Sequence, residues 1–158
     1  MPYDVHGTTA AEANLDAENN GPNKPYSGMT NPGSVSVRSS VQCQGSVCTA
    51  WVNAITFSGI TISLPHWVEF SKASAQEQSA WTASLDSLIK HENGHVLDAA
   101  NAQLRLQAQL KVGGIGPSEG KALQNINTKI HALETRYKVL FQERNAAYDQ
   151  RTCHGTCQ

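Results

Sequence analysis

The spacing of apolar and polar positions changes twice along the chain, and each change marks a new kind of element. Between Thr8 and Asn19, Ala10, Ala11, Ala13, Leu15 and Ala17 recur in a polar background and predict a short helix, capped by Thr8 or Thr9 with Glu12 following. Gly21-Pro22 ends it, and residues 23–33, broken by Pro and Gly, read as an irregular connection. Ser34-Val35-Ser36-Val37-Arg38 then alternates small polar with apolar residues, the period of a half-buried strand. Cys43 to Cys48, enclosing Gly45, reads as a hairpin turn. Thr49–Phe57 and Ile60–Leu64 are β-branched and aromatic, with Ser58-Gly59 between them as a turn. These three runs predict one small antiparallel sheet.

After Leu64-Pro65-His66-Trp67 the period becomes helical. From Ser74 to about Lys111 the apolar positions are Trp81, Leu85, Leu88, Ile89, Val96, Leu97, Leu104 and Leu106, and Ser74 with Glu77 makes a capping box. The run from Gly113 to Pro117 breaks that helix. A second helix, started by Pro117 or Ser118, extends to about Tyr148 with Leu123, Ile126, Ile130, Leu133, Tyr137, Leu140 and Ala147 on its inner side. The expected architecture is α+β, a single domain over residues 1–158: a small antiparallel sheet packed on two long antiparallel helices, the first a zincin-like metal-binding helix.

Composition narrows the function. A chain of 158 residues suits one domain with a real core. The formal charge is -1 and only 16% of residues are charged, so the basic stripe that phosphate contacts require is missing, and so is a polybasic membrane patch. No apolar run approaches the ~18 residues of a membrane span. The expectation is therefore no nucleic-acid partner and no membrane insertion. The four cysteines form two close pairs, Cys43 with Cys48 and Cys153 with Cys157. Short, even spacing in a small chain reads as two local disulfides and an oxidising compartment; a four-cysteine zinc site normally has two-residue gaps within each pair. Met1-Pro2-Tyr3-Asp4 has neither the basic start nor the apolar stretch of a signal peptide. A secreted or periplasmic protein whose export signal has been removed is the expectation.

The chemistry concentrates in His91-Glu92-Asn93-Gly94-His95 on the first long helix. Residues four apart on a helix lie one turn above each other, about 5–6 Å between β carbons, close enough for two imidazoles to meet one zinc ion. Glu92 points to one side of the pair, where it can accept a proton from a zinc-bound water as general base. Two solvent-facing histidines on an ordinary helix would give the same five letters. Against that reading stand the central position on a long amphipathic helix and Gly94, which costs ~1 kcal/mol relative to Ala in a helix interior and so points to a close approach by another group.

Around this motif the chain resembles a bacterial family of predicted secreted zinc-dependent proteases, catalogued as domain of unknown function 922. The similarity spans nearly the whole length. It is visible in Tyr3-Asp4-Val5-His6-Gly7-Thr8, Gly21-Pro22, Leu64-Pro65-His66-Trp67, and Trp81 ten residues before His91, and it closes with Tyr148-Asp149-Gln150-Arg151-Thr152-Cys153-His154-Gly155. The last two blocks are the specific ones. The resemblance implies a metallopeptidase-like domain acting on a peptide or protein, with zinc as cofactor. The chain departs from the family pattern by flanking His154 with Cys153 and Cys157.

A catalytic zinc usually has three protein ligands and one open position. Candidates for the third are His154, Asp149, Glu134, His131 and Asp98. His154 is preferred, because the closing block looks like the family's Tyr-Asp-x-x-Thr-x-His-Gly. A tight helical hairpin turning near Gly114 would instead pair residues whose numbers sum to about 229, and would set Glu134 opposite His95. With His154 as ligand, Tyr148 becomes a hydrogen-bond donor to an oxyanion and Asp149 an orienter of a ligand histidine. His6, His66 and His131 read as surface or satisfied histidines, and Trp51, Trp67 and Trp81 as packing. The sequence thus gives a zinc hydrolase, a metallopeptidase with His91, His95 and His154 on the metal and Glu92 and Tyr148 in catalysis. The alternative is a secreted, non-catalytic binding module with a structural zinc. Neither a cleavage preference nor an oligomeric state is specified.

Overall fold

The computed structural model describes residues 2–22, 24–25 and 27–152. The elements in chain order are β1 (Pro2–Val5), α1 (Ala10–Asn20), β2 (Met29–Asn31), β3 (Val35–Gln44), β4 (Val47–Phe57), β5 (Thr61–Trp67), a 3-10 turn at Phe70–Lys72, α2 (Ala75–Gln109), β6 (Gly113–Gly116) and α3 (Glu119–Thr152). The class is α+β, with three helices and two small sheets. The chain divides into two compact units. The first takes Met1–Pro32, Ile60–Leu97 and the chain from Asn145 on; the second takes Gly33–Gly59 and Asp98–Arg144.

In the first unit, α1 starts where the sequence predicts. Thr9 accepts from the Glu12 amide at 3.2 Å, and Glu12 reaches back to the Thr8 amide at 2.7 Å, so two otherwise unpaired helix-end groups are satisfied reciprocally. Ala10, Ala13 and Ala17 are buried at helical spacing, and such small side chains let the helix lie close to its neighbours. They pack with Val5, Trp67 and Trp81. The Trp67 ring meets Phe70 edge-on at 5.9 Å and Trp81 at 5.6 Å, while its indole N–H donates to the Gly7 carbonyl at 2.8 Å. The sheet here has the order β1-β5-β2, with β1 parallel and β2 antiparallel to β5.

The second unit holds the sheet β3-β4-β6, antiparallel throughout. In β4 the core-facing positions are Cys48, Ala50 and Val52, then Ile55 and Phe57. The switch from even to odd numbers comes from a bulge: Arg38 pairs with Ala54 but Ser39 with Val52, leaving Asn53 as the extra residue. Across the sheet Val35, Val37 and Val41 keep one parity and share the core. Cys43 and Cys48 face each other next to the Gly45-Ser46 turn and form a disulfide. Leu106, Leu110, Ala122, Ile126 and Ile130 complete this core.

Several expectations are corrected. The three β runs do not make one sheet: the last becomes β5, extends to Trp67 and pairs with β1 and β2 instead of β4. The glycine run after α2 is itself a strand, β6, paired with β4. Gly114 and Gly116 are explained by a close backbone approach, since a Cβ on Gly114 would meet the Ile126 amide nitrogen, and one on Gly116 the Ala122 amide nitrogen, at 2.7 Å. On α2, Leu97 and Leu104 are 65% and 64% exposed. Ala99, Ala102 and Leu106 form the inward stripe, continued by Leu110 just past the helix end, and Leu97 and Leu104 lie off it. On α3 the stripe is Ala122, Ile126, Ile130 and Phe141; Leu140 and Ala147 are exposed.

Candidate metal centre

The site belongs to the first unit and begins with a helix start. Ser74 accepts from the Glu77 amide at 3.3 Å, as the capping box predicts, but the Glu77 carboxylate goes instead to the Ala10 amide at 2.6 Å, tying the start of α2 to α1. Along α2 the helical period brings His91 and His95 to one face, with their Nε2 atoms 3.1 Å apart and their rings perpendicular. Both are buried, at 7% and 6% exposure, and so is Glu92 at 4%. These are the buried polar residues of the described chain.

Glu92 turns away from the imidazoles toward β2. Thr30 donates its hydroxyl hydrogen to Glu92 Oε2 at 2.5 Å, with the Glu92 backbone carbonyl 3.3 Å away. Gly28 lies against the other carboxylate oxygen, so closely that a Cβ there would overlap Oε1 and the Leu88 side chain. Tyr3 supports this segment by donating its hydroxyl to the Ser27 carbonyl. Burial, reinforced by the carboxylates of Asp16 and Glu92, pushes the Tyr3 phenol up to about 12, so it remains a donor at neutral pH. Burial likewise raises the Glu92 carboxyl above its ordinary value. The Thr30 hydrogen bond and His95 pull it back, and Asp149 adds to the rise.

The last turn of α3 supplies the other wall. Asp149 Oδ1 lies 3.1 Å from His91 Nε2 and 2.9 Å from His95 Nε2. The Tyr148 ring stacks on His91 at 5.2 Å and meets His95 edge-on at 4.9 Å, with the Arg151 guanidinium 5.4 Å from its centroid. The Tyr148 hydroxyl and ring edge occupy the space a Cβ on Gly94 would need. Gly94 is thus a glycine because an aromatic ring packs on the helix backbone at that point. Thr152 completes the turn, with its hydroxyl 3.1 Å from His91 Nδ1 and 2.8 Å from the Tyr148 carbonyl oxygen.

These residues fit a metal ion. Two imidazole nitrogens and a carboxylate oxygen converge within 3.1 Å of one another, and each binds cations through a lone pair. One proton reconciles one pair of such atoms, whereas a cation touching all three reconciles the set. Tetrahedral zinc with bonds of about 2.0–2.1 Å sets its ligands about 3.3 Å apart, a few tenths wider than the triangle seen here. His95 Nδ1 is buried and has no hydrogen-bond partner among the described residues, which leaves the Nε2 side as its polar contact.

Of the residues singled out by sequence, His91, His95, Tyr148 and Asp149 meet at one point, with Glu92 beside it. Glu134 belongs to the second unit and is not in the cluster. His154 and the Cys153–Cys157 pair lie outside the described residues. The expected pairing sum of 229 does not describe this site, where His91 and His95 meet Asp149 at sums of 240 and 244. The sum assumes a tight turn between the helices, and a paired strand occupies that link. Thr30 and Gly28 were not foreseen, and Thr152, though part of the closing block, was given no role. His66 and His6 are exposed and paired with Asp4 and Glu69.

No helix among the described residues is long and apolar enough to cross a membrane. No curated protein and no solved structure matches the chain. One family model does match, over residues 1–155, nearly the whole length. The chain belongs to the family described as bacterial protein of unknown function (DUF922).

Proposed function

We propose that the chain is a zinc-dependent hydrolase, a secreted or periplasmic metallopeptidase acting on peptides or proteins, with Glu92 as general base. The observation that carries this reading is the cluster of buried His91 and His95 with half-buried Asp149, its three ligand atoms within 3.1 Å, and a second, separately held carboxylate at Glu92. His91, His95 and Asp149 would hold the ion. Asp149 takes the third place in this reading because it lies on both imidazoles. When bound, zinc supplies Lewis acidity and lowers the pKa of a water in contact with it to about 7.

The chain's own residues then divide the remaining work. Glu92 takes the proton of the attacking water and passes it to the leaving amine. Thr30 and Gly28 keep its carboxylate on the β2 side, out of the cluster, so that it stays available for proton transfer. Its raised proton affinity, caused by burial, moves it toward the pH at which it works. Tyr148 packs both imidazoles from one side, and its hydroxyl, at Gly94, is the donor we assign to a developing oxyanion. The Cys43–Cys48 disulfide is compatible with an extracytoplasmic location.

Glu92→Gln separates binding from chemistry. The variant is expected to keep about one zinc per chain and wild-type melting, while hydrolysis of a denatured protein mixture falls ~10²–10⁴-fold. Wild-type protein that takes up no zinc on reconstitution and cleaves nothing would remove the proposal. A Glu92→Gln variant that loses zinc would make Glu92 a ligand instead of the base.

A further inference from the structure

The Thr152 hydroxyl touches two polar atoms at once. It lies 2.8 Å from the Tyr148 carbonyl oxygen and 3.1 Å from His91 Nδ1. A carbonyl only accepts, and a hydroxyl has a single hydrogen to give, so that hydrogen goes to Tyr148. What Thr152 offers His91 is a lone pair, and His91 meets it with an Nδ1–H. A neutral imidazole carries one ring proton; with that proton on Nδ1, Nε2 is bare. We propose that Thr152 is a positioning residue that holds His91 in its Nδ1–H form, so that the Nε2 lone pair stands ready in the His91–His95–Asp149 cluster for a divalent cation. The inference rests on the metal-site reading and deepens it.

A threonine bonding back to the carbonyl four residues earlier is common in helices and accounts for the Tyr148 contact alone. It does not account for the second contact, to a buried imidazole 61 residues away in sequence. The neighbouring histidine supplies an internal comparison. His95 Nδ1 is buried with no partner among the described residues, and its Nε2 faces Asp149 at 2.9 Å. Among the described residues His95 therefore has no Nδ1 contact to fix its ring proton, and His91 has one. Metal-ligating histidines generally depend on such an outer partner, whose loss typically weakens metal affinity 10–100-fold.

The test uses the full chain with histidine ¹⁵N labels, first without metal and then titrated with zinc against a competing chelator. In the metal-free wild type, His91 is expected to carry a hydrogen on Nδ1, and Asp149 Oδ1, 3.1 Å from Nε2, is the acceptor for any second ring proton, which zinc displaces. Thr152→Val, nearly the same shape without the acceptor, should give mixed forms at His91 and bind zinc about 10–100-fold more weakly. Thr152→Ser should restore both. If Thr152→Val fails to fold, Thr152→Ala removes the same acceptor with less bulk. A wild-type His91 with no hydrogen on Nδ1 overturns the proposal. So does a folded Thr152→Val with wild-type zinc affinity, or a Thr152→Ser as weak as the valine variant. Should the wild type bind no zinc, the metal reading fails on that result, while the metal-free spectra still decide what Thr152 does to His91.

Discussion

The two units of the chain bury different kinds of residue. The core of the second is Cys48, Ala50, Leu106, Leu110, Ala122, Ile126 and Ile130, apolar throughout and closed at the hairpin by a disulfide. The first packs Val5, three alanines and two tryptophans, and in addition buries His91, Glu92 and His95. Burying titratable groups opposes folding unless each is hydrogen-bonded or paired. Here Thr30, Thr152 and Asp149 provide the partners, and a cation would provide the rest. One unit is therefore organised by apolar packing and a disulfide, and the other by packing around a polar cluster whose requirements dictate individual residues.

A large-to-small change in the apolar core tests this division most strongly. Ile126 is fully buried, and Ile126→Ala should cost ~2–5 kcal/mol in chemical denaturation, through lost transfer energy and the cavity left behind. The comparison adds a second expectation: the folded fraction of the variant should still take up zinc as the wild type does. Loss of zinc affinity in fully folded Ile126→Ala protein would show that the second core also tunes the site.

Gly94→Ala sharpens the comparison from the other side. In an unobstructed helix this change would gain up to ~1 kcal/mol. Here the new Cβ overlaps the Tyr148 hydroxyl and ring, which His91 and His95 hold in place. Overpacking of this kind costs ~1–3 kcal/mol, so net destabilisation is expected, with weaker zinc binding as Tyr148 moves and carries Asp149 with it. Tyr148→Ala in the same chain removes the obstruction, so the two changes together should cost clearly less than their sum. Additive costs would mean that the ring does not explain the glycine.

How much of this was legible depends on how far apart in sequence the partners lie. His91, Glu92 and His95 could be read because their relation is set within one helical turn, and the close approach at Gly94 was inferred from its cost alone. The helices and the caps at Thr9 and Ser74 were local in the same way. Thr30 and Thr152 meet their partners 62 and 61 residues away; Thr152 stands in the closing block, but nothing local to either residue points to its partner. The sorting of strands failed for a related reason. Alternation identifies a strand but not its neighbour, and β5 pairs in parallel with β1, whose residues lie 62 positions earlier. Asp149 stood among the candidates for third ligand, yet the helix-pairing argument favoured Glu134 because it treated β6 as a turn.

The smallest effect concerns an exposed histidine–carboxylate contact in the first unit, where His91 and His95 are buried beside Asp149. His6 Nδ1 donates to Glu69 Oε1 at 3.1 Å, the same distance that separates His91 Nε2 from Asp149. The hydrogen bond to Glu69 raises the His6 imidazole above its ordinary 6.5; desolvation opposes it, and the charges of Glu69, Asp16 and Asp4 add to the rise. The same bond holds Glu69 below its ordinary 4.5. For His6 the stabilisation is complete below about 6.5 and disappears as pH rises through the higher folded value. For Glu69 it is complete above about 4.5 and disappears as pH falls through the lower folded value. The pair therefore contributes most between those two limits. Both groups are open to solvent, so the contribution is small and screened by salt. Denaturation midpoints of wild type and His6→Gln should differ more at about pH 5.5 than at about pH 8.5, and the gap should shrink in high salt. An equal difference at both pH values would show that the contact carries no charge interaction, and that the same separation matters only where burial removes the water.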